Sequence, residues 1–215
     1  MNILDGLLLG DGGVYNHNRG YMKGKSFFGQ TCKYEEYLHY IKSMLEQEGL
    51  EFPDKCITPY MRKLKHREGY TKEYRLTSRF SPYLYDQRCR WYPYNVKRVP
   101  KDITLTTNVL REWYIGDGSL ITWRNYLWNV KLCVLGYDEY DNVFLKNLLV
   151  DLGFSSRFNK KRGEINVNRS NVPKFLSFIG SCPVDCYKYK WDLENLSKVH
   201  PNTQIKREKL LQQEK

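Results

Sequence analysis

Two aspartates are the first candidates for chemistry in this chain. Asp11 and Asp117 each stand in a Gly-Asp-Gly triplet that closes an apolar run, LDGLLLGDG over residues 4–12 and LREWYIGDG over 110–118. If those runs are helices, both carboxylates sit at helix C-termini, where the partial negative charge disfavours an acid by about 0.3–1 kcal/mol. A divalent cation reverses that penalty. Mg²⁺ takes hard oxygen ligands, carboxylates and backbone carbonyls among them, and keeps other positions for water and phosphate. The expected ligands are therefore Asp11 and Asp117 with the adjoining carbonyls of Gly10 and Gly116. One Asp-Gly after a helix is an ordinary turn; its return 106 residues later, from 11 to 117, argues for a matched pair.

The elements that must hold such a pair are written twice. Met44-Leu45-Glu46-Gln47-Glu48-Gly49-Leu50 resembles Leu148-Leu149-Val150-Asp151-Leu152-Gly153-Phe154, an amphipathic helix stopped by glycine and repeated 104 residues on, from 49 to 153. Pro82 starts a helix leading to Lys97, and Pro173 starts one leading to Lys188, an interval of 15 residues in each case. Three matches in one order indicate two half-domains of one design. The pattern predicts helix, two strands, helix, two strands, helix in each half. In the first half these are a helix over 3–11, a strand over 25–32, a helix over 34–48, strands over 57–66 and 70–79, and a helix over 81–91. The second half carries a strand over 128–135 and a hairpin about Lys161-Arg162-Gly163. The halves divide as 1–95 and 105–200, joined by a linker over 96–104 and followed by a basic tail over 201–215.

The two apolar helices need a partner, and each can be the other's. Gly6 and Gly10 lie four apart on one helical face, where a second backbone could approach closely. Gly12 and Gly118 are expected to end the helices with positive φ. Strand patterning supplies a polar surface beside them. In Glu164-Ile165-Asn166-Val167-Asn168 the apolar and polar residues alternate, as they do in Thr71, Glu73, Arg75 and Thr77, predicting sheets with one packed and one wet face.

Composition narrows the partner. The chain has 215 residues, a formal charge of +11, a pI near 9.3 and 18 tyrosines. A basic surface favours nucleic acid. No window approaches the roughly 18 uninterrupted apolar residues of a membrane span, and the N-terminus lacks a basic secretory leader. An intracellular protein, wherever its DNA resides, is expected, with its six cysteines reduced. Cys182 and Cys186 have no second pair at zinc-like spacing. No Asp or Glu is followed two positions later by Lys, which removes the usual two-carboxylate-plus-lysine signature of restriction-type nucleases.

Both Gly-Asp-Gly segments resemble the LAGLIDADG motif, and the order of features between them is similar to single-chain, two-motif homing endonucleases through about Lys190. The resemblance implies an α+β fold of two pseudo-symmetric αββαββα half-domains, motif helices at the interface, and curved antiparallel sheets forming a saddle on DNA. It implies a monomer that makes a double-strand break with short 3′ overhangs in a long, non-palindromic site by Mg²⁺-dependent hydrolysis, with Mn²⁺ substituting and Ca²⁺ supporting binding without cleavage. The family's acids map to Asp11 and Asp117. Its basic residues, which follow each half's last helix, map to Lys97 and Lys188, with Lys190 a near substitute, and a further polar residue maps to Gln30. DNA contacts are expected from Arg62, Lys63, Lys65 and Arg67 at the longer first hairpin, from Arg75, Arg79 and Lys131, and from Lys160, Lys161, Arg162, Asn166 and Asn168. Glu112 and Trp113 depart from the motif, which prefers Gly and an aliphatic residue there, and predict an asymmetric helix pair. A chain that starts almost at the first motif is expected to be intron-encoded or free-standing. The competing expectation is a non-cleaving binder on the same fold, an intron RNA maturase or a DNA-binding regulator.

Overall fold

A computed structural model of the chain describes residues 3–16, 24–63, 68–123 and 126–193. The first half comprises α1 (Ile3–Leu9), β1 (Gly13–Asn16), β2 (Ser26–Cys32), α2 (Glu35–Gln47), β3 (Ile57–Lys63), β4 (Tyr70–Thr77) and α3 (Pro82–Trp91). The second comprises α4 (Thr107–Asp117), β5 (Gly118–Trp123), β6 (Tyr126–Cys133), α5 (Glu139–Asp151), β7 (Ser156–Asn159), β8 (Glu164–Val167) and α6 (Val172–Ile179). Short 3₁₀ turns at Pro93–Asn95 and Asp185–Lys190 follow the closing helices. This is αββαββα written twice, an α+β fold. Among the described residues, no helix is long and apolar enough to cross a membrane.

The strands form two four-stranded antiparallel sheets, ordered β1-β2-β4-β3 and β5-β6-β8-β7. Their registers superpose once the two motifs are aligned. Val14 pairs with Phe28 as Leu120 pairs with Val130, and Gln30 faces Leu76 as Leu132 faces Ile165. Period-two alternation then sets the faces. Phe28, Leu76, Val130, Leu132, Ile165 and Val167 are fully buried against the helices, while Arg75, Thr77, Lys131, Glu164 and Asn166 hold the opposite polar face. The first hairpin, with seven- and eight-residue strands, outreaches the four-residue strands of the second.

Helices cover the apolar faces and stop where glycine permits. On α2, Tyr37, Leu38, Ile41 and Leu45 are buried, a 3–4 residue stripe. Gly49 ends it with φ +89°, as Gly153 ends α5 with φ +82°, a left-handed backbone that glycine adopts without penalty.

α1 and α4 pack on each other and carry the centre of the fold. A Cβ on Gly6 would collide with the Val109 carbonyl and lie 2.9 Å from Val109 Cα; one on Gly116 would lie 3.1 Å from Gly10 Cα. Only hydrogen at these positions lets the backbones approach this far. The two departures from the motif are both buried. Trp113 is fully buried, and so is Glu112, whose carboxylate accepts from Tyr37 Oη (3.1 Å) and Tyr40 Oη (2.8 Å) and pairs with Arg111 Nε (3.2 Å). Burial pushes the Glu112 carboxyl up, against those hydrogen bonds and that charge.

Two local expectations are corrected. α1 ends at Leu9 rather than at residue 11, because Gly12 N–H reaches back five residues to Leu7 O (2.9 Å) and the chain leaves the helix at Asp11. Neither Gly12 nor Gly118 has positive φ; Gly118 is extended at φ −90°. Crowding makes them glycine instead: a Cβ on Gly12 would lie 2.7 Å from Leu7 O, and one on Gly118 would lie 2.8 Å from Tyr114 Cα.

Candidate active site

The close seam brings the two Gly-Asp corners together. With a Gly116 Cβ position 3.1 Å from Gly10 Cα and 3.2 Å from Asp11 N, Asp11 and Asp117 emerge side by side at the same end of the helix pair. Asp11 opens onto a cleft of about 460 Å³ lined also by Tyr15, Gln30, Thr31, Arg75 and Thr77. Asp117 opens onto one of about 270 Å³ lined by Gly116, Ser119, Leu120, Tyr189 and Lys190.

Two lysines close the site. Lys97 Nζ donates to Gly10 O and Gly12 O, each at 3.4 Å. Lys190 Nζ, on a side chain only 6% exposed, donates to Ile115 O (2.5 Å), Gly118 O (2.8 Å) and Tyr114 O (3.4 Å). Each ammonium thus sits on the carbonyl end of one motif helix, where cations are favoured. Tyr137 Oη donates to Leu8 O (3.0 Å) and Leu9 O (3.2 Å), satisfying more of the α1 terminus.

The four charges perturb one another in a partly desolvated place. The Asp117 carboxyl is pushed up to about 6, first by burial and then by neighbouring Asp11, with Lys97 and Lys190 pulling the other way. Asp11 is raised as well, by the protein around it and by Glu73, against Lys190 and Lys97. Burial brings Lys97 and Lys190 down to about 8 despite both carboxylates. Paired acids beside paired cations, all with shifted proton affinity in a cleft, are the arrangement from which functional centres are built.

Each lysine is held by the opposite half. Beside Lys97, Arg98 Nε donates to Asp141 Oδ2 on α5 at 2.8 Å, Val99 N–H to the same atom at 3.1 Å, and Lys101 Nζ to Asp141 Oδ1 at 2.7 Å. Before Lys190, the N–H groups of Asp185 and Cys186 donate to the Glu36 carboxylate on α2, at 2.9 and 3.2 Å, and Tyr187 Oη lies 3.3 Å from Cys32 Sγ. The straps carrying the lysines are therefore cross-clasped, which fixes both ammonium groups relative to the helix seam.

A model of the LAGLIDADG DNA endonuclease family matches residues 1–175. The chain belongs to the LAGLIDADG DNA endonuclease family. It is 36% identical over 161 residues to an uncharacterised protein of Methanocaldococcus jannaschii; the match covers 74% of this chain and 58% of that relative's length. The fold is similar to that of the homing endonuclease I-WcaI bound to its DNA recognition sequence, with a TM-score of 0.74, 20% identity, and coverage of 88% of this chain and 84% of that one. I-DmoI in complex with DNA and Ca is also similar, with a TM-score of 0.50, 15% identity, and coverage of 84% and 88%.

Set in the LAGLIDADG frame, the candidate residues separate into groups. Asp11, Asp117, Lys97 and the Gly10 and Gly116 backbone meet at one place. Lys188 does not join them: its side chain is 67% exposed and pairs with Asp185 Oδ1 at 2.7 Å, while Lys190 takes the inner position. The reason is local. The segment is a 3₁₀ turn at three residues per turn, so positions two apart point well away from each other. Gln30 borders the Asp11 cleft but is only 4% exposed, on the register shared with Phe28 and Cys32, and its Oε1 is buried with no hydrogen-bond partner among the described residues. Its counterpart in the second half is Leu132.

Most of the remaining described candidates sit on or beside the polar faces. Arg62 is exposed on β3, pairing with Glu73 at 2.7 Å, whereas Lys63, paired with Tyr70, is exposed on the opposite side of the ribbon; Arg75 is exposed on β4, its guanidinium 4.4 Å from the Tyr60 ring centre, and Arg79, just beyond β4, lies 4.0 Å from Glu51. Lys65 and Arg67 fall outside the described residues, as does the tail over 201–215. In the second half Lys160, Arg162, Asn166 and Asn168 line a groove of about 620 Å³ with Asn129, Arg157 and Asn159. Lys161 is exposed in the adjoining turn, and Lys131 pairs with Glu164 at 3.3 Å. Arg157 and Asn159 were overlooked by sequence reasoning, although the alternation in Ser156-Arg157-Phe158-Asn159 carried the signal.

Proposed function

We propose that this chain is a site-specific homing endonuclease that breaks both strands of a long, non-palindromic DNA site by metal-dependent phosphodiester hydrolysis, acting as a single chain inside the cell that holds the DNA. The observation that carries this reading is the side-by-side emergence of Asp11 and Asp117 at the foot of the α1–α4 seam, one acid from each half, with Lys97 of the connecting segment and Lys190 of the second half beside them. Its half-domains are residues 1–95 and 105–200, bridged by 96–104.

The donor set fits a divalent cation. Burial raises the proton affinity of both carboxylates and the Asp11 charge raises that of Asp117 further, a penalty that a bound cation would relieve. Asp11 and Asp117, with the carbonyls of Gly10 and Gly116, would hold Mg²⁺, which when bound activates water and stabilises charge on the leaving 3′ oxygen. Mn²⁺ fits the same oxygen donors, and Ca²⁺, larger and less demanding in geometry, supports binding without cleavage. Lys97 and Lys190 hold positive charge beside the reacting phosphates, where negative charge grows in the transition state. The polar faces of the two sheets read the duplex, phosphates through Arg and Lys and base edges through Asn and Arg. Unequal sheets read unequal half-sites.

The test begins with a binding selection from random duplexes in Ca²⁺, which needs no cleavage. A supercoiled plasmid carrying the recovered site is then incubated with Mg²⁺. Linear product is expected, and Asp11→Asn or Asp117→Asn is expected to abolish it while leaving binding intact. Tight binding with no cutting in Mg²⁺ or Mn²⁺ would replace this reading with a non-cleaving regulator, and preference for structured RNA over duplex would point to a maturase. Binding should weaken steeply with salt, because several phosphate contacts release counterions.

A further inference from the structure

The polar faces of the two sheets share one register but carry different side chains. Aligning the motifs makes Gly13 equivalent to Ser119 and Tyr15 to Ile121; strand pairing then sets Phe27 against Asn129, Gly29 against Lys131, Thr77 against Asn166 and Arg75 against Glu164. In the first half the Tyr15 and Phe27 rings stack, with centroids 5.4 Å apart and planes inclined by 29°, and Phe80 meets Phe27 edge-on at 5.1 Å. The Tyr15 ring lies across two glycines: a Cβ on Gly13 would stand 2.6 Å from Tyr15 Oη, and one on Gly29 would stand 3.2 Å from Tyr15 Cε2. The shelf so formed is open. Tyr15 is 49% exposed, and both rings line the Asp11 cleft with Thr31, Thr77 and Arg75. In the second half the matching positions carry amides and charges. Asn129 Nδ2 donates to Asn166 Oδ1 at 2.9 Å, and both residues line the groove that holds Arg157, Asn159, Arg162 and Asn168.

Resting on the DNA-binding part of the function proposed above, we propose that the half-site on the first sheet is recognised through thymine C5-methyl groups seated on the Tyr15–Phe27 shelf, whereas the half-site on the second is read by hydrogen bonds from asparagine and arginine. The chemistry of the major groove selects the ligand. Every base edge shows hydrogen-bond donors or acceptors there, but thymine alone adds a methyl. Ring carbons give a polar edge neither donor nor acceptor, so such an edge on the shelf gives up water without replacement, while a methyl leaves water at a gain. Charge argues that the occupant is duplex DNA. Arg75 lines the same cleft, the chain carries a formal charge of +11, and the shelf is continuous with the opening at Asp11. Stacking and the glycine floor hold the rings in place before DNA arrives, so little side-chain freedom is lost on contact. The second groove works differently, because asparagine pairs with the adenine edge and arginine with the guanine edge through two hydrogen bonds each.

The experiment measures binding of the full chain in Ca²⁺ to a duplex recovered by selection from random sequences. In each half-site in turn, the thymines are replaced by deoxyuridine, which keeps the hydrogen-bonding edge and lacks only the methyl. In one half-site the replacement is expected to weaken binding by about fourfold for each seated methyl, and in the other to change it little. The protein variants assign that half-site to the shelf. Phe27→Asn, which installs the residue of the other half, and Tyr15→Ser should each remove the difference between thymine and deoxyuridine. Tyr15→Phe, which keeps the ring, should retain it, and so should Asn166→Ala. Tyr15→Ser carries the comparison if Phe27→Asn melts below the assay temperature, since about half of Tyr15 already faces solvent. In the other half-site, 7-deazapurines, which lack the N7 acceptor, should weaken binding to wild type more than to Asn166→Ala. Deoxyuridine tolerated in both half-sites would overturn the proposal alone, as would a thymine preference that survives both Phe27→Asn and Tyr15→Ser. Failure to select any duplex would overturn the DNA-binding reading and this proposal with it.

Discussion

Gly6→Ala places a methyl where the α1–α4 seam has no room. The new Cβ would stand 2.9 Å from Val109 Cα and 3.0 Å from Glu112 Cβ, with the Val109 carbonyl oxygen closer still. Carbon–carbon contacts prefer roughly 3.5–4.0 Å, so the helices must part by about 0.6 Å or more. Two of the three obstacles are backbone, which cannot rotate aside, and overpacking of this kind costs about 1–3 kcal/mol; the upper end applies here. Alanine also returns about 0.8–1 kcal/mol of helix propensity over glycine, leaving a net loss of about 2 kcal/mol. For a chain of this size that lowers Tm by about 4–8 °C. The same displacement separates Asp11 from Asp117, and a misplacement approaching 1 Å costs catalysis about a hundredfold, so cleavage should fall at least tenfold while binding in Ca²⁺ changes little. Thermal unfolding and strand cleavage at saturating enzyme measure the two effects. Gly136→Ala, where a Cβ meets nothing within 4 Å, is the control and should melt with wild type. A Gly6→Ala protein that melts at or above wild type, or cuts at the wild-type rate, would refute the claim that glycine-permitted contact sets the carboxylate geometry.

Three further outcomes follow from the site. Lys190→Met should reduce cleavage by a hundredfold or more, whereas Lys188→Met should cut within about twofold of wild type in the same assay, since only Lys190 reaches the helix end beside the carboxylates. Asp141→Asn should lower stability by about 2–3 kcal/mol, a value discounted from that of a fully buried pair because Arg98 and Lys101 reach solvent. Burial raises the Asp141 carboxyl, but Arg98, Lys101 and the Val99 N–H hold it below its ordinary range. Its contribution is therefore present above an unfolded value near 3.9 and lost as pH falls through the lower folded value, so denaturant curves of variant and wild type should converge in acid. Asp117, raised to about 6, must lose its proton to bind a cation, so Mg²⁺ affinity measured by calorimetry should weaken as pH drops below about 6, with proton release that Asp117→Asn removes.

Much of this molecule is set by local pattern, which sequence carries in full. Apolar runs closing on Gly-Asp-Gly, glycine stops at Gly49 and Gly153, and the alternation of Ile165 and Val167 with Glu164 and Asn166 depend on neighbours a few residues away. They therefore announce the doubled αββαββα order, the packed and polar sheet faces, and the two acids at helix ends. What needed the folded chain were choices made by contacts between distant segments. Spacing favours Lys188, 15 residues after Pro173; a 3₁₀ turn clasped to Glu36 of the other half turns Lys190 inward instead. Gly12 and Gly118 look like helix-ending residues, yet they are demanded by crowding against Leu7 and Tyr114. Glu112 looks incompatible with a close seam until Gly6 leaves it room and Tyr37, Tyr40 and Arg111 satisfy its carboxylate. The matching of Arg75 with Glu164 exists only once strand register is fixed, because register is a relation between chains of residues far apart in sequence, and no window of the sequence contains both sides of it.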